Sequence, residues 1–279
     1  YKRQFFLFVI LLTGILYPIE MGWQWGGGWL ASLGFSDFAG STLVHAAGGA
    51  AALAGAIVLG PRVGRFSGKQ LVPFANSSIP LATIGVFILW FGWFGFNGGS
   101  QLALGTFDDA TAVAKIFINT NLAAAGGVMT CALITRLIGG KTDVVQMLNG
   151  ALGGLVAITA EPLAPVPFIA IIIGGIGGAI VVAGSVLLVK LKIDDVVGAI
   201  PVHMFAGIWG TLAVPLTNAD TNFGAQLIGV LSINVFMFAA SFVIWTILKS
   251  TVGIRVSDEA QRKGTDVAET GVVAYSIRD

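Results

Sequence analysis

Eight apolar runs, each near the length that crosses a bilayer, follow one another with only short polar loops between them. They fall at about residues 4–22, 38–60, 78–100, 112–137, 145–160, 165–189, 196–216 and 223–249. A hydrocarbon core about 30 Å thick is crossed by about 20 helical residues. Inside it every backbone N–H and C=O must find its partner within the protein, which leaves helices as the solution for runs of this length. The composition agrees, with 56% hydrophobic and 10% charged residues and a mean hydropathy of +0.88, against about 25% charged residues in a soluble domain. A soluble fold of this length has no need of an apolar character in every segment. The expected fold is all-α, a polytopic transmembrane helical protein.

The fifth run is short and ends at Glu161-Pro162, and its neighbour begins after Pro165 and Pro167, so it is expected to lie tilted or to be incomplete. The basic residues orient the chain. Lys2 and Arg3, then Arg62, Arg65 and Lys69, then Arg136 and Lys141, then Lys190 and Lys192, then Lys249 onward share one side. Lys115 falls on the other side, with Glu20, Asp108, Asp109, Glu161 and Asp220. The positive-inside rule then places both ends in the cytoplasm and the protein in a cell membrane, inner or plasma. The alternation also supports the count of eight, because a miscounted span would scramble it. A transmembrane domain over 1–249 and a cytoplasmic tail over 250–279 are expected, the tail being either disordered or a docking segment. Lys2-Arg3 ahead of an apolar run imitates a secretory signal, but the run ends in Tyr17-Pro18-Ile19-Glu20 without a small-residue cleavage site. The chain opens on Tyr1 and not on methionine, and is expected to start partway through a longer protein.

The net charge of +1 gives no footing for a nucleic-acid partner. A single cysteine, Cys131, allows neither an intramolecular disulfide nor a cysteine metal cluster. No cofactor or metal is expected. Many of the 39 glycines lie in small-residue strings such as Gly174-Gly175-Ile176-Gly177-Gly178, which let helix backbones approach closely in lipid.

One spacing, D-x-x-G-x-x-x-V-H-x-x-x-G, occurs twice. Asp37, Gly40, Val44, His45 and Gly49 form one copy, and Asp195, Gly198, Val202, His203 and Gly207 the other. The two copies hold both histidines of the chain. Asp37 follows an outer loop and Asp195 an inner one, so the copies enter the membrane from opposite sides, as inverted-topology repeats do. Eight residues of helix put each histidine about 12 Å beyond its aspartate, near the bilayer centre. Two neutral imidazoles there can share one N–H and leave their outer nitrogens to a passing molecule. A second positive charge beside a first is disfavoured, so the pair is expected to carry at most one. Bis-histidine haem ligation is the rival, and it needs the rings held apart by a macrocycle. The aspartates fit N-caps, with a secondary role for Asp37 in attracting a cation.

Aromatic residues mark an entrance. Gly22-Trp23-Gln24-Trp25-Gly26-Gly27-Gly28-Trp29 reads as an interfacial belt, while Trp90 to Ser100 ends a helix on the same side with a hydroxyl beside aromatic faces. Rings and a hydroxyl together can seat a small cation.

With these segments in view, the chain closely resembles the ammonium transporter family (Amt/Mep/Rh). The resemblance is carried by Asp37-Phe38-Ala39-Gly40 leading to His45, Leu59-Gly60-Pro61-Arg62, Gly92 through Ser100, Asp194-Asp195 through His203 to Gly210, and the tail from Gly253-Ile254-Arg255-Val256. It implies a fold of inverted repeats of which about eight of the usual eleven spans are present, the chain beginning near the fourth. As it stands, such a chain is expected not to enclose a full pore. The resemblance further implies that His45 and His203 are the twin pore histidines and Phe96 one ring of a phenylalanine gate. Trp25 and Ser100 then belong to the outer recruitment site, and Asp37 is the acidic residue near it. The implied substrate is ammonium or ammonia, the implied assembly a homotrimer, and a PII-type signalling protein docks on many bacterial members. Sensing of ammonium without transport is the second class. An enzyme is the third, with no matched buried carboxylate or nucleophile beside the histidines to work with.

Overall fold

The structure, a computed structural model, describes residues 2–68 and 70–274, the side chains of Lys2 and Gln70 excepted. Tyr1, Lys69 and the last five residues of the expected tail, 275–279, lie outside the described residues. Among the described residues six helices are long and apolar enough to cross a membrane: α1 (Arg3–Ser32), α2 (Ser41–Leu59), α3 (Ile79–Gly99), α4 (Phe107–Gly139), α6 (Pro167–Lys190) and α8 (Phe223–Thr251). Two shorter apolar helices, α5 (Val144–Ile158) and α7 (Ile200–Leu216), make up the eight expected runs. The short fifth run is thus a real, short helix. The first run is longer than expected because its helix continues past Tyr17 to Gln24, turns, and resumes at Trp29–Ser32. A two-residue hairpin, β1 (Phe66–Ser67) with β2 (Gln70–Leu71), interrupts the loop between α2 and α3.

The repeated spacing folds the same way in both copies. Gly40 (φ 108°) and Gly198 (φ 81°) turn the chain into each helix in a conformation open to glycine. Three residues earlier an aspartate caps the new helix. Asp37 Oδ1 accepts from the Gly40 and Ser41 N–H groups, and Oδ2 from those of Thr42 and Leu43, at 2.8–3.0 Å. Asp195 accepts likewise from Gly198, Ala199 and Ile200. The first turns that follow, Ser41–Ala46 and Ile200–Phe205, are π-helical. A π-turn holds one residue more than an α-turn and so shifts which side chain faces inward.

The two copies run antiparallel. Thr42, at the start of α2, meets Thr211, near the end of α7, hydroxyl to hydroxyl at 2.6 Å. Arg62, just past the end of α2, pairs through Nε and Nη2 with Asp194, just before α7, at 2.7 and 2.8 Å. Burial raises the Asp194 carboxyl, but the bonds and charge from Arg62, with Arg65 beside it, outweigh burial and hold it below the usual carboxylate range. Leu43, Ala47 and Ala50 of α2 pack against Ile233 and Met237 of α8 and Leu16 and Leu30 of α1. On the other side α4, α5 and α6 touch backbone to backbone: a Cβ on Gly154 or Gly174 would run into the Ala123 carbonyl. These small residues stand in for a hydrophobic driving force that lipid does not supply.

The tail is ordered as far as it is described. It carries α9 (Asp258–Lys263) and α10 (Thr265–Thr270). The Arg255 guanidinium donates to the Leu59, Gly60 and Pro61 carbonyls at the end of α2.

Candidate functional site

The two histidines meet. His45 Nδ1 and His203 Nδ1 are 3.2 Å apart, and the ring centroids 5.3 Å apart at 19°. Two nitrogens at that distance share one hydrogen, so the rings take opposite tautomers. One Nε2 is then a bare acceptor and the other an N–H donor. His45 Nε2 is buried and has no hydrogen-bond partner among the described residues. A macrocycle cannot enter a 3.2 Å gap, so the arrangement does not fit haem held between these rings. Among the described residues no group of three or more His, Cys, Asp or Glu side chains is placed to hold a metal.

Both π-turns aim their histidine at the other copy, and the last glycine of each copy makes the crossing close enough. A Cβ on Gly49 would sit 2.7 Å from Met204 Cβ, and one on Gly207 would run into the Ser41 carbonyl. The sequence shows those glycines only as packing residues; the structure shows that each one touches the opposite copy. Neighbouring hydroxyls hold the first π-turn in place. Ser41 Oγ donates to the Val156 carbonyl at 2.6 Å, and Tyr17 Oη to the Val44 carbonyl at 3.0 Å. Neither partner is marked by any pattern in the sequence, since both come from other helices.

Aromatic rings cover the pair. Trp93 stacks on His45 at 4.9 Å and 17°, and Phe96 tilts against the same imidazole at 5.4 Å. Trp93 is fixed by its Nε1 hydrogen bond to Thr159 Oγ1 at 2.9 Å. The spacing of Trp93 and Phe96, three apart on α3, puts both rings on one helix face. Phe96 was singled out by the resemblance alone, and no pattern in the sequence marks Trp93, which lies flat on the histidine.

The expected entrance residues are placed as follows. Trp25 is 46% exposed, and its Nε1 donates to the Asp37 carbonyl at 3.0 Å. Ser100 Oγ turns back to the Phe96 carbonyl at 2.9 Å on its own helix. No hydrogen bond or ring contact joins Trp25 to Ser100 or Phe96 among the described residues. Asp37 is the helix cap that its spacing predicted. Its side chain is 1% exposed, and both its oxygens are taken up by the four capping N–H groups. Burial pushes its carboxyl up while those four bonds pull it down. Any attraction it exerts on a cation acts through space.

Known proteins share this architecture. A sequence profile described as the Ammonium Transporter Family matches residues 3–275. The ammonium transporter Amt2 of Archaeoglobus fulgidus is 41% identical over 305 residues, covering 97% of the chain and 64% of that protein. The ammonium transporter of Bacillus subtilis is 36% identical over 287 residues, covering 97% and 68%. Among solved structures, a Sensor Amt Protein superposes with a TM-score of 0.87 at 35% identity over 93% of the chain and 68% of its own. Candida albicans Mep2 does so with 0.83 at 30%, over 95% and 62%. The chain spans somewhat less than two thirds of the Archaeoglobus relative and of Mep2.

Proposed function

This chain belongs to the ammonium transporter family, and from that premise we propose that its protein carries ammonium nitrogen across a cell membrane as neutral ammonia, past His45 and His203. The observation that carries this reading is the 3.2 Å imidazole pair roofed by Trp93 and Phe96. A small cation loses most of its hydration on entering an apolar passage, and shedding a proton first removes that cost. Ammonium is recruited at the outer face, where Trp25 offers an exposed ring and Ser100 a hydroxyl that can both donate and accept. Asp37 supports that region by fixing the turn beneath Trp25. Phe96 is the gate ring between the entrance and the histidines. Ammonia then passes from one Nε2 to the other, meeting an acceptor on one ring and a donor on its neighbour. Both chain ends lie in the cytoplasm, the protein works as a homotrimer, and a PII-type partner docks on the cytoplasmic face.

Replacing His45 with Phe removes the shared proton while keeping an aromatic ring. Methylammonium uptake into proteoliposomes is expected to fall at least about tenfold, the loss of one differential interaction of about 1.4 kcal/mol. Currents on solid-supported membranes decide the fate of the proton: uptake without current assigns release on the entry side, and current assigns relay along the pair. Uptake unchanged in the His45→Phe variant removes the site assignment.

Ammonium sensing is the second reading. It is supported by the likeness to the Sensor Amt Protein and by the tail that Arg255 ties to the end of α2, the helix bearing His45.

A further inference from the structure

Glu20 lies inside α1 and has no part in the transport chemistry above. Its side chain is 0% exposed, and neither Oε1 nor Oε2 accepts a hydrogen bond among the described residues. A carboxylate sealed from water without donors is costly, and in a membrane-spanning helix such a group ordinarily marks a site. Two further features give the site a shape. Gln24 stands four residues on, on the same helix face, and its Oε1 is also buried without a donor. Asp37, whose oxygens are taken up by four capping N–H groups, has no donor to offer.

Two donors of the same segment are committed elsewhere. Tyr17 Oη is bonded to the Val44 carbonyl and Trp25 Nε1 to the Asp37 carbonyl. What remains is three acceptor oxygens without a donor, two of them on a carboxyl that a bound cation would hold ionised. The complement to that set is a single positive charge that takes oxygen ligands or donates hydrogens. A divalent ion would need more carboxylate than this, since both Asp37 oxygens are spent on the cap. Exposure rises toward the Trp25 end of the segment, where Gln24 is half-buried and Trp25 exposed.

We propose that Glu20 and Gln24 form a binding site for a small monovalent cation, of the ammonium or alkali-metal class, beneath Trp25 and apart from the histidine pair. The site holds the ion at the foot of the turn that Asp37 caps, and occupancy ties α1 to the start of α2.

The test is thermal unfolding of the purified protein in lipid nanodiscs, with ammonium, sodium or potassium chloride titrated against choline chloride at constant ionic strength. At least one small cation is expected to raise the midpoint in a saturable way that choline does not, and the effective ion identifies the ligand. Glu20→Gln keeps the size and removes the charge, and is expected to abolish the rise. Glu161→Gln is expected to keep it, because Glu161 already accepts from the Ala164 N–H and the Asn218 amide. Should Glu20→Gln fail to fold, Gln24→Met removes the outer oxygen and is expected to weaken the ion's apparent affinity several-fold. No cation-specific rise in the wild type, an equal rise in Glu20→Gln, or an unaltered affinity in Gln24→Met overturns the proposal. The readout is binding, so it fails or stands independently of the transport reading.

Discussion

At the scale of single residues, the site depends on what is missing from two glycines. Gly49 and Gly207 close their copies of the repeated spacing, and each lies against the backbone of the other copy. Adding one methyl at Gly207 drives a Cβ into the Ser41 carbonyl, and backbone cannot yield as a flexible side chain can. Overpacking of this kind costs about 1–3 kcal/mol. Gly207→Ala is therefore expected to lower the thermal midpoint and, by prising α7 from α2, to lengthen the 3.2 Å histidine contact and reduce methylammonium uptake. A variant with the midpoint and uptake of the wild type would show that the close crossing is dispensable. The spacing of these glycines was legible in the sequence. Their partners were not, because a glycine looks the same whether it faces lipid or another backbone.

At the scale of elements, the two capped π-turns are alike in pattern and unlike in setting. Asp37 is 1% exposed, whereas Asp195 is only half-buried. Hydrogen bonds to a charged group contribute about 1.5–3 kcal/mol, and a buried donor left without its acceptor cannot turn to water instead. Asp37→Asn keeps one acceptor oxygen and strands two of the four N–H groups. It is expected to lower the denaturation midpoint clearly more than Asp195→Asn does. Equal shifts in the two variants would contradict the assigned difference in burial. The helices and their caps were readable because both rest on local chemistry: apolar length, and an aspartate three residues ahead of a glycine. The π-turns were not. One added residue in a turn is stabilised by Tyr17 and Val156, which come from other helices, so no local pattern announces it.

At the scale of the whole molecule, Arg62, Arg65 and Asp194 clamp the end of α2 to the start of α7 and so join the inverted copies at the end away from Asp37. The Asp194 carboxyl is held below its usual range, chiefly by Arg62 against the opposing effect of burial. A depressed carboxyl contributes stability above its unfolded value, about 3.9, and that contribution is lost as pH falls through the lower folded value. Wild-type thermal midpoints are expected to drop as pH falls below about 4. Asp194→Asn should start lower at neutral pH and change less with acid; parallel pH profiles for the two proteins would argue against the clamp. The membrane-spanning helices, their approximate bounds and the opposed entry of two histidine-bearing segments were legible along the chain, since hydropathy, caps and spacing are written locally, and its motifs carried the resemblance to the family. Tertiary structure alone decided that Nδ1 faces Nδ1, that Trp93 lies on His45, that Asp37 is sealed behind its cap and that Glu20 stands without a donor. Each of these depends on helix rotation, and a rotation is fixed only when a neighbouring helix packs against it.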